Sequence, residues 1–311
     1  MKILVTGAAG FIGNKLCQAL SLRGDSVVAV ARRQVSFDNN ITLINKALSK
    51  NTHWKNCLKD IDVVIHLAGR AHVMKDASEN PYQAYADINI HATKHLAEQA
   101  TLSGVKRFIF LSSVKVNGER TDKIAFNETD SPRPEDDYGK TKYEAEKVLN
   151  NIAKDAGMEV VIIRPPLVYG EGVKANFKSL IKLAQLNIPL PFGGINNKRS
   201  LVFIENLIDF ILLCTYHPKA ANQTFLISDD DDVSTTQLIK YIKEASNKKN
   251  LLLHVPQSWL EFLFRLIGKS SLSDRLCGNL QVDITKAKTL LNWKPPYSVK
   301  KGIAETIFNK A

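Results

Sequence analysis

The chain has 311 residues, 44% of them hydrophobic and 23% charged, with 42 Lys and Arg against 31 Asp and Glu and a formal net charge of +11. That composition excludes a disordered or fibrous chain and leaves room for one large α/β domain with an appended lobe. No apolar run approaches the roughly 18 residues that cross a bilayer, and Met1 to Val5 runs straight into a glycine turn, so a cytoplasmic protein without a targeting segment is expected.

The basic excess is spread along the sequence, with no basic block interleaved with aromatics, and reads as a solvated surface and not as a nucleic-acid interface. An anionic nucleotide substrate, or loose attachment to an acidic membrane surface, would draw on the same excess. Cys17, Cys57, Cys214 and Cys277 lack metal-ligand spacing and read as small apolar fillers, so neither a metal nor a disulfide is expected.

In chain order, MKILVTGAAGFIG opens with strand propensity at Ile3, Leu4 and Val5, continues through Gly7, Gly10 and Gly13, and passes into a helical pattern from Phe11 to Leu22. A second strand, Ser26 to Ala31, follows one helix later, as a βαβ unit requires. Small residues in such a turn let the backbone approach a pyrophosphate, whose charge the helix N-terminus holds. Gly7, Gly10, Phe11, Ile12 and Gly13 are therefore the expected contacts of a dinucleotide.

Ile41 to Asn45 reads as a weak third strand and Asp62 to His66 as a buried one that ends at Leu67, Ala68 and Gly69. A long helix over Asn80 to Ser103, a strand at Lys106 to Ser112, a helix from Tyr138 to Ala156 and a strand at Glu159 to Ile163 complete the alternation. The pattern predicts an α/β fold with a doubly wound parallel sheet, its ligands beyond the carboxyl ends of the strands. Gly7, Leu67, Ala68, Gly69, Ser113 and Arg164 fall at that edge, the first four as cofactor contacts.

Past Arg164 the prolines Pro165, Pro166, Pro189 and Pro191 and the pair Gly193-Gly194 mark a smaller, mostly helical lobe. The expected division is a dinucleotide-binding domain over 1–164, to which 200–227 returns, and a substrate-binding lobe over 165–199 and 228–311. Helices are expected at Glu205 to Tyr216, Thr235 to Ser246 with Ser234 as N-cap, Gln257 to Ile267 and Ile284 to Leu291, and a short strand at Gln223 to Ile227. The apolar stretch Trp259 to Ile267 reads as packed or as a dimer contact in preference to a segment inserted in lipid, and the acidic run Asp229 to Asp232 as a solvated turn.

Tyr138 and Lys142 stand four residues apart, on one face of their helix. An ammonium beside a phenol favours the phenolate, and lowering a tyrosine pKa by about three units takes ~4 kcal/mol, which Lys142 and an oxidised nicotinamide ring together could supply in a dry cleft. Tyr138 could then act as an acid or base at neutral pH, with Ser112 and Ser113 one connection earlier, at the end of a strand.

The order TGAAGFIG, HLAG, LSSVKVNG, YGKTK and RPPLVYG resembles the extended short-chain dehydrogenase/reductases, and within them the nucleotide-sugar epimerases, dehydratases and ketoreductases, over nearly the whole chain. The resemblance implies that Ser113 binds the reacting hydroxyl, that Tyr138 is the proton donor or acceptor, and that Lys142 tunes it and anchors the cofactor ribose. It implies further that Asn89 supports the strand ends, that Asn176 contacts the nucleotide, and that Arg199 clamps the diphosphate, with Arg275 as a second clamp. Helices over Tyr85 to Gln99 and Glu144 to Ile152 match those that pair in related homodimers.

Three departures narrow the reaction. Ser113, Val114 and Lys115 stand where 4,6-dehydratases carry Thr-Asp-Glu, which disfavours dehydration. Ala31, Arg32 and Arg33 replace the acid that NAD-preferring relatives carry, which favours NADP over NAD. Asn117 stands where the family usually has tyrosine. The first reading is reduction of a 4-keto UDP-hexose or UDP-N-acetylhexosamine for surface polysaccharide synthesis. A UDP-sugar 4-epimerase with tightly held NAD is the alternative, and a non-catalytic dinucleotide sensor a third, disfavoured by the complete Ser113, Tyr138 and Lys142 set.

Overall fold

The computed structural model describes residues 1–37, 40–71, 80–266, 268 and 270–308. Seven parallel strands form the main sheet: β1 (Lys2–Thr6), β2 (Ser26–Ala31), β3 (Ile41–Asn45), β4 (Val63–His66), β5 (Arg107–Leu111), β6 (Glu159–Arg164) and, after two strands outside it, β9 (Gln223–Leu226). Their spatial order is β3-β2-β1-β4-β5-β6-β9. The chain thus runs outward from β1 to β3 and restarts on the other side of β1 with β4. A crevice opens where the order reverses, between the carboxyl ends of β1 and β4.

Period-two alternation sends neighbouring residues to opposite faces. Leu4, Val28, Val64, Phe108 and Ile162 join one core with Trp54, Leu58, Leu96 and Leu149, whereas Ile3, Val27, Ile65, Ile109 and Val161 join the other with Leu16, Leu20 and Phe210. Helix α1 (Phe11–Leu22) belongs to the second face. The first is covered by α3 (Thr93–Leu102), which follows α2 (Pro81–Ala86), and by α4 (Asp137–Ala156). All four cysteines are buried.

The helix expected over Asn80 to Ser103 is interrupted: residues Asp87–Ala92 between α2 and α3 form a wide π-type turn. Beyond β6, β7 (Leu167–Tyr169) and β8 (Leu201–Phe203) make a separate two-stranded parallel sheet. Helices α5 (Ala175–Ala184), α6 (Ile204–Tyr216), α7 (Thr235–Ala245), α8 (Gln257–Leu266), α9 (Ser270–Cys277), α10 (Thr285–Leu291) and α11 (Val299–Phe308) supply the rest. Ser234 caps α7 as expected, accepting from Gln237 N at 3.0 Å. Ile267, the expected end of α8, lies outside the described residues. Among the described residues no helix is long and apolar enough to cross a membrane.

One expectation about this part is corrected. Asp229 is not solvated; it is buried and accepts from Phe203 N and Asn206 Nδ2 at 2.7 Å and from the Tyr169 hydroxyl at 2.7 Å. In α8, Leu260 is buried and Phe264 packs against the core, whereas Trp259, Phe262, Leu263 and Leu266 are exposed.

Candidate active site

The crevice begins at the first glycine turn. Gly7 has φ +73°, and a Cβ there would stand 2.8 Å from Ala68 N, so only glycine lets the β1 and β4 ends close on each other. Thr6 Oγ1 supports the contact by accepting from Ala68 N at 3.3 Å. Gly10 caps α1 without a side-chain bond, and the first turn carries no acid. The result is a helix N-terminus and a side-chain-free turn at a topological switch point, which fits a dinucleotide pyrophosphate. Arg33 reaches back over this turn, its Nη2 donating to Ala9 O at 3.0 Å, and both Arg32 and Arg33 are exposed.

Beneath it runs a buried polar chain that sequence reasoning missed. His66 Nδ1 lies 2.6 Å from Thr6 Oγ1 and Nε2 lies 2.9 Å from Thr93 Oγ1. A neutral ring donates through one nitrogen and accepts through the other, so one of the two threonine hydroxyls donates to His66 and the other accepts from it. Burial, and then the Lys142 charge, holds the His66 pKa down at about 3. The only sequence signal was a histidine closing an otherwise apolar strand. Asn89, in the π-type turn, accepts from Arg70 N at 2.8 Å and donates to Arg70 O and Thr141 Oγ1 at 3.1 Å, tying the segment after Gly69 to α4.

Ser113 and Tyr138 come together from different elements. Ser113 follows β5 and caps a short 3-10 turn, Val114–Val116; Tyr138 is in the first turn of α4. Gly139 makes the approach possible, since a Cβ there would sit 2.8 Å from Lys115 O. Asp136 caps α4 through Gly139 N at 2.7 Å, and Lys115 Nζ donates to Asp136 Oδ2 at 2.5 Å and Glu119 Oε1 at 2.8 Å. Burial alone would draw Lys115 down, but these two carboxylates outweigh it and its pKa is raised. Lys115, where dehydratases carry an acid, is therefore a fixed cation that clamps the turn after β5 to the start of α4. Its partner Asp136 was not among the residues singled out from the sequence.

Ser113 and Tyr138 share a side-chain hydrogen bond. Lys142 Nζ donates to Leu111 O at 2.8 Å and lies 4.3 Å from the Phe110 ring centre. Burial, with the Asp136 charge behind it, pushes the Tyr138 phenol up to about 12, while the Ser113 bond works the other way. Burial draws Lys142 down to about 7 against the Glu146 carboxylate. The same dry cleft penalises phenolate and ammonium alike, and the lysine's bond goes to a carbonyl.

Arg164 lies at the sheet edge as expected, but its guanidinium is buried. It pairs with Glu146 through Nε at 3.0 Å and Nη2 at 2.5 Å, and donates to Asn117 Oδ1 at 3.0 Å. Ser112 Oγ also bonds Glu146, at 2.5 Å. The asparagine at 117 is thus an acceptor for a structural ion pair.

Arg199 bridges to Val233 and Leu280, donates from Nη1 to Gly278 O at 3.1 Å, and has its pKa lowered by burial. A half-buried arginine bonded to a neutral carbonyl suits a diphosphate oxygen. Asn176, in the first turn of α5, and Arg275, on α9, are both exposed.

Comparison with known proteins gives a consistent picture. The NAD dependent epimerase/dehydratase family matches residues 3–228. A UDP-glucose 4-epimerase of Vibrio cholerae is 50% identical over 98% of this chain and 94% of its own. The N-acetyl-alpha-D-glucosaminyl-diphospho-ditrans,octacis-undecaprenol 4-epimerase of Escherichia coli O157:H7 is 27% identical over 98% and 94%. A solved UDP-glucuronic acid 4-epimerase from Bacillus cereus, in complex with UDP-glucuronic acid and NAD, superposes with a TM-score of 0.80 at 28% identity, covering 99% of this chain and 98% of that one.

Proposed function

Because the chain belongs to the NAD dependent epimerase/dehydratase family, we propose that it is a UDP-sugar 4-epimerase with a nicotinamide dinucleotide bound across Gly7–Gly13 and Leu67–Gly69. The observation that carries this reading is the meeting of Ser113, Tyr138 and Lys142 in one cleft beside the glycine turn. The bound dinucleotide supplies the hydride acceptor and donor for carbon 4. Tyr138 takes the proton from the 4-hydroxyl and returns it, Ser113 holds the same oxygen, and Lys142 anchors the ribose. Arg199 holds the diphosphate, with Asn176 and Arg275 as outer contacts. A homodimer packed through α3 and α4, in the cytoplasm, belongs to the same reading.

The named relatives act as 4-epimerases, so epimerisation takes the first place that the sequence by itself gives to reduction. Dehydration has no support, since Lys115 is spent on Asp136 and Glu119. One observation favours the reductase as a second reading. The end of β2 offers Arg32 and Arg33 and no acid, which suits the ribose phosphate of NADP.

Two measurements separate them. An epimerase incubated with UDP-glucose or UDP-N-acetylglucosamine yields the 4-epimer with no net change in absorbance at ~340 nm. A reductase leaves these sugars untouched and consumes NADPH stoichiometrically with a UDP-4-keto sugar. Fluorescence titration then tests the arginines: NADPH binds roughly five- to a hundredfold more tightly than NADH, and Arg32→Ala with Arg33→Ala erases the gap without weakening NADH. Equal dissociation constants in the wild type make both arginines ordinary surface residues.

A further inference from the structure

Three consecutive residues at the end of β5 meet one face of α4. Ser113 bonds Tyr138, Leu111 O accepts from Lys142 Nζ at 2.8 Å, and Ser112 Oγ donates to Glu146 Oε1 at 2.5 Å. Tyr138, Lys142 and Glu146 stand four residues apart, one helical turn after another. The last of them is sealed from water, with Glu146 2% and Arg164 5% exposed. Arg164 closes on both Glu146 oxygens, and its Nη1 donates to Asn117 Oδ1 at 3.0 Å. Asn117 Nδ2 in turn donates to Asn127 O at 2.9 Å, which fixes the turn that follows Ser113.

Packing alone does not call for charges here, since apolar groups of similar volume in place of a buried ion pair often leave a protein as stable or more so. What the pair adjoins is a buried ammonium. Lys142 is faced by Tyr138 and Glu146 from its own helix, by Phe110 and Leu111 O from β5 and by His66 from β4, and it shares the space beside Gly69 with Asn89. Tyr138 and His66 are neutral there, so the charge among these groups is that of Glu146. Neighbouring cations are engaged elsewhere, Lys115 with Asp136 and Arg70 over the Tyr85 ring. Burial draws Lys142 toward the free amine, and the Glu146 carboxylate opposes it. That carboxylate is the pole one turn away on the lysine's own helix, whereas Arg164 approaches from β6.

We propose that Glu146 is a positioning residue: with Arg164 and Ser112 it holds α4 against the end of β5 and keeps the Lys142 ammonium charged in the dinucleotide-free cleft. This role, which rests on the reading of Lys142 as the ribose anchor, is exerted through the lysine and needs no contact with the cofactor.

The test measures NADH affinity of the full chain, stripped of dinucleotide, by fluorescence titration at a series of pH values. In the wild type the dissociation constant rises above the pH at which Lys142 loses its proton, about 7, and Lys142→Met shows no such bend. Glu146→Gln moves the bend down by about one pH unit, so that about one unit above the wild-type bend NADH binds about tenfold more weakly than to the wild type. Arg164→Gln leaves the carboxylate without its counter-ion and moves the bend up. Loss of a merely structural pair would weaken binding in both variants without moving their bends apart. Unfolding of the dinucleotide-free proteins supplies a second readout: the pH at which Tm begins to rise moves down in Glu146→Gln and up in Arg164→Gln.

A bend that does not move down when Glu146 is replaced overturns the proposal, as does one that persists in Lys142→Met or the lack of a bend in every protein. Should Glu146→Gln fail to fold, Glu146→Gln with Arg164→Gln removes both charges together; its bend lies below that of the wild type, and a bend at the wild-type pH overturns the proposal. No sugar is present, so the outcome is the same for an epimerase or a reductase. A wild type that does not bind NADH refutes the reading of the cleft, and the Tm shifts then decide the role of Glu146 by themselves.

Discussion

Tyr138 and Lys142 share a dry cleft in which each is driven toward its neutral form, the phenol up to about 12 and the ammonium down to about 7. A tyrosine in that state is a good hydrogen-bond donor and a poor base, so proton removal has to wait until substrate and cofactor charge enter the cleft. Tyr138→Phe removes the phenol bonded to Ser113 and is expected to lower kcat by about 10²–10⁴-fold, leaving the dinucleotide dissociation constant within a few-fold. Steady-state turnover beside a fluorescence titration checks both halves, and comparable turnover in the variant removes Tyr138 from the chemistry. Arg199→Ala is expected to weaken UDP binding, since a charge-assisted bond to a diphosphate contributes about 1.5–3 kcal/mol. Calorimetric titration with UDP measures it; an unchanged constant takes Arg199 out of the substrate site. The Tyr-x-x-x-Lys pair could be read directly because helical spacing fixes which residues share a face. The direction of the tyrosine shift could not, because burial depends on what other elements bring to the cleft.

The first turn of α4 holds its place through one cation. Lys115 joins the turn after β5 to Asp136, the cap of the helix that carries Tyr138, and Gly139 lets the two segments touch. Lys115→Met keeps the aliphatic stem and removes the ion pairs. It is expected to cost about 1–2 kcal/mol of stability and to lower kcat by about tenfold through misplacement of Tyr138 against Ser113, with dinucleotide affinity kept. Thermal unfolding and kcat measured together test this, and a variant with wild-type kcat makes the clamp a purely structural ornament of α4. Periodicity alone placed α4 within one residue of its observed start, where Asp136 caps it, and at its observed end, where Gly157 at φ +70° takes the left-handed conformation. The π-type turn at Asp87–Ala92 escaped it. Helical periodicity continues across 80–103, and what distinguishes the turn is Asn89 bonding to Arg70, a contact between segments.

At the scale of the whole molecule the parallel sheet was legible because apolar runs of strand length alternate with helical patterns, and the switch-point crevice follows from the strand order. The second half was less so, since β7, β8 and Asp229 acquire their roles only when distant segments pack. Asp229 joins Tyr169, Phe203 and Asn206, and burial raises it to about 6 despite three donors. Three buried groups therefore shape how stability varies with pH. His66 is held near 3 against an ordinary 6.5, so the unfolded chain binds the extra proton and stability is lost as pH falls below about 6.5. Asp229 works the other way: the folded chain keeps a proton that the unfolded chain has released between 3.8 and about 6, and stability falls as pH rises through that window. Above both, Lys142 acts alone among the three. Its folded pKa of about 7 lies below the ordinary 10.5, so between these values the unfolded chain binds more protons and stability rises with pH. Dinucleotide-free protein is expected to gain in Tm from pH 7 to pH 9, and Lys142→Met, which cannot titrate, is expected to flatten that rise. The dinucleotide must be absent because a ligand bound only to the folded chain adds its own stabilisation. Unfolding curves at several pH values for both proteins decide it. Parallel slopes mean that Lys142 stays charged in the cleft, bonded to Leu111 and ready to act on Tyr138 without any cofactor.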